Sequence, residues 1–197
     1  MVAPAAMAAS PVSPTVEYSA DSTMETEYGA MKTRIYHAPN KERREMSQGG
    51  ENMIMIMRQD KKVMWNVMPS QRMYIEMGMQ GNADNRKGNV DINNYDIQHT
   101  VVGEETVNGV KTTKSKVIMK PKSGSGTKMG GFMWTTKDGI AVKTDVIAID
   151  GDKKARIKME LTNLKVGKQD ASLFEPPAGY TKMDMGAMMG GAYGRHR

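Results

Sequence analysis

Short apolar runs separated by polar turn residues occupy most of the chain. The clearest is 73–79, where Met73, Ile75 and Met77 alternate with polar, aromatic or small residues. A period of two places these apolar side chains on one face of a β-strand. Similar runs recur at regular spacing, and together they predict an all-β fold of about eleven strands with no long helix.

Turn residues set the bounds of these strands. Asn108-Gly109 predicts a type I′ hairpin because both positions accept a positive φ, and the polar stretch 58–62 predicts a second hairpin. At most short helices are expected, one in the polar loop 80–95 and one near 170–174, where Asp170 is a suitable cap. The predicted strands are 15–27, 30–38, 41–47, 53–57, 63–68, 73–79, 97–107, 110–120, 131–136, 140–149 and 155–166.

The composition is that of a folded globular chain. Of 197 residues, 39% are hydrophobic and 25% are charged, which fits one domain over 15–183. Methionine occurs 21 times and phenylalanine twice, so thioether side chains supply much of the apolar surface. The sequence has no cysteine, which excludes disulfides, thiolate metal sites and thiol nucleophiles.

The two ends differ from the central part. Residues 1–14 are small, apolar and proline-rich, and Ala6-Met7-Ala8 matches the small-residue pattern that ends a secretory signal peptide. The segment is therefore either the remnant of a signal peptide or a flexible leader. Residues 184–197 are rich in glycine and methionine without a core pattern and are predicted to form a flexible tail. We expect export to the periplasm or cell envelope.

Methionine is concentrated between 53 and 79, and this stretch is the candidate binding region. Methionine side chains are flexible and polarizable, so a strand face made of them adapts to irregular apolar shapes. We expect such a face to form the wall of a site for an apolar ligand. The candidate wall residues are Met55, Met57, Met64, Trp65, Met73, Ile75, Met77 and Met79.

The net charge of +6 is spread along the chain. Lysines alternate with hydroxyl residues in 111–116, which is typical of the solvated face of a strand. No recognition helix, aromatic RNA-binding signature or dense basic run accompanies the charge, so nucleic-acid binding is not predicted. An anionic membrane surface suits the same charges.

The spacing of polar residues along the sequence does not match any catalytic motif. His37, His99 and His196 are dispersed, with no triad order or metalloprotease spacing around them. Paired carboxylates fall either mid-strand or in an Asp-Gly-Asp turn that favours Asp for backbone reasons. We therefore expect a protein that is not an enzyme and that needs no cofactor.

Two other classes of function stay open. Thioethers are soft ligands that select Cu(I), and the C-terminal candidates for a copper site are Met183, Met185, Met188, Met189 and His196. A structural protein of the cell envelope is the other alternative, and exposed sheet edges would be its signature.

Three stretches resemble a known bacterial family. They are YHAPNKERREM at 36–46, IMIMR at 54–58 with KVMW at 62–65, and DASLFEPPAGY at 170–180. Together they are similar to a domain of unknown function, DUF4412, and this family in turn resembles the LolA-like periplasmic carriers of lipoproteins and lipids. The resemblance implies an incomplete β-barrel, a strongly bent antiparallel sheet whose concave apolar face holds acyl chains.

The resemblance also implies a role for an early arginine. In the LolA-like carriers, an arginine on an early strand helps to retain the cargo, and Arg43 and Arg44 are the matching candidates here. Neighbouring residues of a strand point to opposite faces, so at most one of the two faces a cavity. The expected function is an envelope protein that holds an acyl chain, a lipid or the anchor of an acylated protein.

Overall fold

The computed structural model describes residues 14–79, 94–123 and 126–183. The strands in these ranges are β1 (Tyr18–Thr26), β2 (Gly29–Ala38), β3 (Lys41–Gln48), β4 (Glu51–Arg58), β5 (Val63–Met68), β6 (Met73–Gly78), β7 (Tyr95–Val107), β8 (Val110–Pro121), β9 (Lys128–Thr135), β10 (Ala141–Asp150), β11 (Lys153–Val166) and β12 (Thr181–Met183). Two 3₁₀ turns, Pro69–Gln71 and Ala171–Phe174, interrupt them. Among the described residues, no helix has the length and apolar character needed to cross a membrane.

The twelve strands form one open sheet in the order β12-β6-β5-β4-β3-β2-β1-β11-β10-β9-β8-β7. Neighbours are antiparallel except for β12, which pairs in parallel with β6. The all-β, incompletely closed architecture predicted from the sequence is confirmed, and the eleven predicted strands are all present, with ends that are shifted in every strand except β5. Strand β12 was not predicted, because three residues are too few to carry a period.

Local turn chemistry explains the hairpins. Asn108 and Gly109 have φ values of 49° and 79°, as a type I′ turn requires, and Val107 pairs with Val110 across them. The turn after Arg58 also forms as predicted, with β4 and β5 joined in register from Arg58↔Val63 onward. The predicted helical turn near 170–174 is present as a 3₁₀ turn, and Asp170 accepts a hydrogen bond from the Ser172 N–H. The predicted 80–95 helix falls almost entirely outside the described residues.

The sheet bends around a cavity of about 210 Å³. Met57 at the end of β4 and Thr144 on β10 both line this cavity, although five strand spacings separate them in the sheet. In a flat sheet they would be about 24 Å apart. The face that carries these two residues is therefore the concave face, and the opposite one is called the outer face below.

The chain from 167 to 180, called the crossing segment, covers the outer face of β3–β5. It leaves β11 in the middle of the sheet and reaches β12 at one edge. Phe174 is its buried anchor at 2% exposure, and it packs in a cluster with Ile56, Trp65, Val67 and Ala38. Burying a phenylalanine side chain stabilises a fold by about 1.5–3 kcal/mol. The crossing segment thus turns this part of the outer face into closed core.

Two buried arginines hold the crossing segment in place. Arg43 Nη1 donates to the Leu173 carbonyl and Arg58 Nη1 donates to the Phe174 carbonyl, each at 3.1 Å. Arg58 also pairs with Glu175 and donates two hydrogen bonds of 2.7 Å to Asp60. Because the 3₁₀ turn has no ladder partner, these charged donors satisfy backbone groups that would otherwise be buried unpaired.

Asp60 is expected to make the stability of this arrangement sensitive to acid. Hydrogen bonds from Arg58 lower the pKa of Asp60 to about 2, whereas an unfolded aspartate has a pKa of about 3.9. A lowered folded pKa contributes stability above the unfolded value, and that contribution is lost as the pH falls toward about 2. Asp60→Asn should therefore lose less stability than wild type between about pH 6 and pH 3, as measured by denaturant unfolding.

Asp152→Asn, in the turn between β10 and β11, is the control for that experiment and should follow the wild-type curve. Equal acid losses in wild type and Asp60→Asn would contradict the role given to this carboxylate.

Candidate ligand-binding site

Strand register brings most of the sequence-predicted wall together on the concave face. Met57, Met64 and Met77 lie in one row across β4, β5 and β6, and Met55 and Ile75 lie in the next. The wall residues that share this face, called the methionine wall below, are Met55, Met57, Met64, Met73, Ile75 and Met77. All six are half-buried. They form an apolar surface that is neither closed core nor fully solvated.

Trp65 does not belong to this wall, and its assignment to it was wrong. It pairs with Ile56 on the outer face, is buried at 6%, and donates from Nε1 to Glu76 Oε2 at 2.9 Å. The crossing segment covers it through Phe174. The residues around Trp65 are apolar at successive positions, so the sequence does not show which face of the strand Trp65 occupies. Its pairing with Ile56 places it on the outer face.

The side chains of Arg43 and Arg44 lie on opposite faces of the sheet, as expected for adjacent residues in a strand. Arg43 points to the outer face, where it holds the crossing segment, so it does not face a ligand cavity. Arg44 lines the concave cavity. Its Nε donates to Glu42 Oε1 at 2.6 Å. Of the two cargo-retaining candidates, only Arg44 faces the cavity.

A polar cluster lies where the methionine wall meets the centre of the sheet. His37 stacks on Tyr18 with ring centroids 5.0 Å apart, and its Nδ1 lies 3.5 Å from Glu42 Oε2. Burial opposes ionisation of Glu42, but the positive charge of Arg44 and the nearby His37 outweigh it, so the pKa of Glu42 is lowered. Burial raises the pKa of Tyr18 far above its usual value. The cluster therefore offers a neutral phenol beside an ionised Glu42–Arg44 pair.

Several buried polar atoms on the concave face have no hydrogen-bond partner within the described part of the chain. They are Nε2 of the His37 ring, whose Nδ1 faces Glu42, and the side-chain oxygens Asn66 Oδ1, Ser115 Oγ and Thr144 Oγ1. The register places all four residues on the concave face, among Met55, Met133 and Met159. Leaving such groups unsatisfied costs about 1–3 kcal/mol each, so they would gain from any polar group that entered the cavity.

Sequence reasoning missed this polar set because its members are far apart in the chain. His37 and Thr144 line the same cavity although they belong to β2 and β10. No spacing motif links them, and only the pairing of β1 with β11 brings their strands close. A lone hydroxyl or amide within an otherwise apolar strand face was the one signal present.

The remaining candidates lie at or beyond the edge of the described residues. Met79 is half-buried just after β6, and its backbone N–H donates to the Lys62 carbonyl. Met183 pairs with Ile75 and so continues the methionine wall onto β12. Met185, Met188, Met189 and His196 fall outside the described ranges, so the copper site stays a prediction. Within those ranges, no group of three or more His, Asp or Glu side chains is placed to hold a metal.

These features define an all-β protein with an open, bent sheet, an outer face that is sealed over β3–β5, and an apolar concave face with polar groups at its centre. A family model described as "Domain of unknown function (DUF4412)" matches residues 20–145, which is more than half of the chain. The protein belongs to this family, as predicted from its sequence.

Solved structures of other proteins have a similar fold. An uncharacterized conserved protein from Thermus thermophilus is 13% identical with a TM-score of 0.54, and the match covers 86% of this chain and 90% of that one. MucB is 14% identical with a TM-score of 0.52, covering 84% and 58%. A LolA superfamily protein from Nitrosomonas europaea is 10% identical with a TM-score of 0.41, covering 82% and 91%. At such identities the first two likenesses show the fold alone. No curated protein sequence matches the chain.

The position of Trp65 predicts that it stabilises the fold without contributing to a concave site. Trp65→Phe removes the Nε1 hydrogen bond to Glu76 and keeps most of the apolar packing, so it should cost about 0.5–1.5 kcal/mol in the free energy of unfolding. Met64→Leu, at the neighbouring concave position, is the matched control and should change stability less, because volume-conserving swaps are tolerated. Denaturant titration measures both. A larger loss for Met64→Leu would mean that the methionine wall, and not Trp65, is the tighter core.

Proposed function

We propose that this protein binds a single-chain amphiphile on its concave face, with the apolar chain along the methionine wall and a polar group at the Tyr18–His37–Arg44 cluster. The observation that carries the proposal is the contrast between the two faces of the same strands. Ile56 and Val67 are fully buried under the crossing segment, while Met64 and Met77 behind them are half-buried. An apolar face left open beside a sealed one is typical of a binding surface.

The energetics favour an acyl chain of moderate length. Each buried CH₂ contributes about 0.8 kcal/mol, so about ten of them give roughly 8 kcal/mol before the ordering costs of binding. Those costs reduce the net free energy, and an affinity of about micromolar is expected. Methionine suits this task because its side chain adjusts to chains of different shape.

The polar groups that line the concave cavity support an amphiphile over a plain hydrocarbon. A carboxylate, ester or phosphate supplies acceptors for the guanidinium of Arg44 and for the phenol of Tyr18, which stays protonated. Thr144 on the opposite wall of the cavity has a hydroxyl that both donates and accepts. A lipid or an acylated protein therefore fits the site better than an alkane does. The same interpretation assigns the protein no catalytic step.

Substitution at Met77 tests the proposal where the face assignment is clear. Met77→Trp should fill an open concave surface, weaken binding of a fluorescent fatty-acid probe by tenfold or more, and change the free energy of unfolding little. In a closed core the same change would overpack the site and destabilise it by about 1–3 kcal/mol. Probe titration and denaturant unfolding of one preparation give both quantities.

Val67→Phe is the matched control on the sealed face of the neighbouring strand. It should destabilise the fold and leave the affinity of the remaining folded protein for the probe unchanged. A wild type that ignores the probe, together with a Met77→Trp variant that unfolds easily, would mean that the methionine wall is ordinary core.

We also propose that the protein acts in the periplasm or cell envelope. The support is the Ala6-Met7-Ala8 sequence, which fits the end of a signal peptide, together with the absence of cysteine. Fractionation of cells that express the full-length gene should recover the protein outside the cytosol with a shortened N-terminus. Recovery from the cytosol with residues 1–14 intact would contradict the proposal.

A further inference from the structure

A second surface, on the other side of the sheet, combines exposed apolar side chains with basic ones. The crossing segment covers the outer face of β3–β5 but leaves that of β8–β11 open. Phe132 is 38% exposed there and Ile147 is 46% exposed. Strand register brings the two together with the half-buried Ile118 and Ile149.

Lysines and one arginine flank this apolar centre on both sides. In one row across the sheet, Lys116 and Lys158 lie at either end, with Phe132 and Asp145 between them. The next two rows toward the β10–β11 turn end in Arg156 and Lys154 on β11, and the second of them includes Lys128 on β9. The face is thus apolar in the middle and basic at the margins, over three strand spacings or about 14 Å.

Much of this positive charge is not neutralised by the protein itself. Arg156 is paired with Asp145, Lys143 with Glu160, and Lys114 with Glu105. Five exposed lysines of this face form no ion pair with any other described residue. They are Lys116, Lys120, Lys128, Lys154 and Lys158. Glu25 and Asp96 lie opposite Lys158 and Lys120 in the register, which leaves an excess of positive charge.

We propose that this face, named here the basic–apolar face and defined by Phe132, Ile147 and the five unpaired lysines, docks the protein on an anionic lipid bilayer. Lysines near an anionic membrane surface each contribute about fivefold in binding. Phe132 and Ile147 insert at the level of the headgroups, where an apolar side chain gains from leaving water. The complementarity of charge identifies the partner as an anionic surface, and the apolar centre identifies that surface as lipid.

A nucleic acid is the competing anionic partner, and the apolar centre disfavours it. Phosphate contacts would use the lysines but would leave Phe132 and Ile147 against a charged backbone. The proposal does not depend on the ligand of the concave face, since the basic–apolar face lies on the opposite side of the sheet. Ligand binding on the concave face and membrane docking on the basic–apolar face are therefore tested by separate experiments.

Cosedimentation with vesicles tests the docking surface. The full chain should bind vesicles of phosphatidylcholine with added phosphatidylglycerol and should bind pure phosphatidylcholine weakly, with an affinity that falls as salt is raised. Lys116→Gln combined with Lys158→Gln removes two charges from the basic–apolar face and should weaken binding roughly 30-fold. Lys111→Gln combined with Lys168→Gln removes the same charge from exposed positions elsewhere and should weaken binding by less than about threefold.

Two further variants separate the possible partners. Phe132→Ser should reduce vesicle binding most clearly at high salt, where the apolar contribution dominates. Met77→Trp, on the concave face, should bind vesicles as wild type does whatever its effect on the fatty-acid probe. Thermal unfolding checks that each variant is folded, and large losses of stability are not expected at the exposed lysine positions.

Three results would overturn the proposal. One is a wild type that does not bind the anionic vesicles. Another is an equal loss in the two double variants, which would reduce the effect to net charge. The third is an oligonucleotide that competes fully with vesicles while Phe132→Ser binds as well as wild type, which would assign the surface to nucleic acid.

Discussion

The difference between the two faces of β3–β5 depends on the packing of Phe174 against the outer face. Two hydrogen bonds from arginine side chains to backbone carbonyls hold Phe174 there. When a strand has apolar residues on both faces, each face is exposed to solvent unless another part of the chain packs against it. The crossing segment covers the outer face of β3–β5, and Arg43 and Arg58 make this possible by satisfying the carbonyls of a turn that has no strand neighbour. With one face closed in this way, the thioethers on the other face are left for contacts that the described chain does not make.

Most of the fold was readable from the sequence because its determinants are local. Asn108-Gly109 fixes a hairpin through the φ values that its two residues accept, and alternation in Met73–Gly78 fixes a face. The order of the strands is a different matter. That β1 pairs with β11, and that the three residues of β12 pair with β6, depends on contacts between distant segments that no local pattern encodes.

The candidate site was predictable in the same uneven way. Period two correctly placed Met73, Ile75 and Met77 on one face, whereas the continuous apolar run of β5 left the face of Trp65 undetermined. Arg43 and Arg44 are adjacent in a strand, so their side chains must point to opposite faces. Which of the two faces the cavity is decided only by the strand register. The polar set of His37, Thr144 and their unpartnered companions could not be predicted, because three-dimensional proximity, and not spacing, defines it.

The central position of β1 has a consequence for how the sheet is assembled. Strands β1 to β6 and β7 to β11 are two runs of hairpins whose pairings join residues close in sequence, and such contacts form quickly. The seam between the runs joins Tyr18 to Val166, so it must close a long loop before it gains any contact energy. Strand β1, the first of the described strands, receives its second neighbour only after β11 is available. Until that seam forms, β1 is a bare edge with open backbone groups, and the molecule is most exposed to pairing with other chains at this stage.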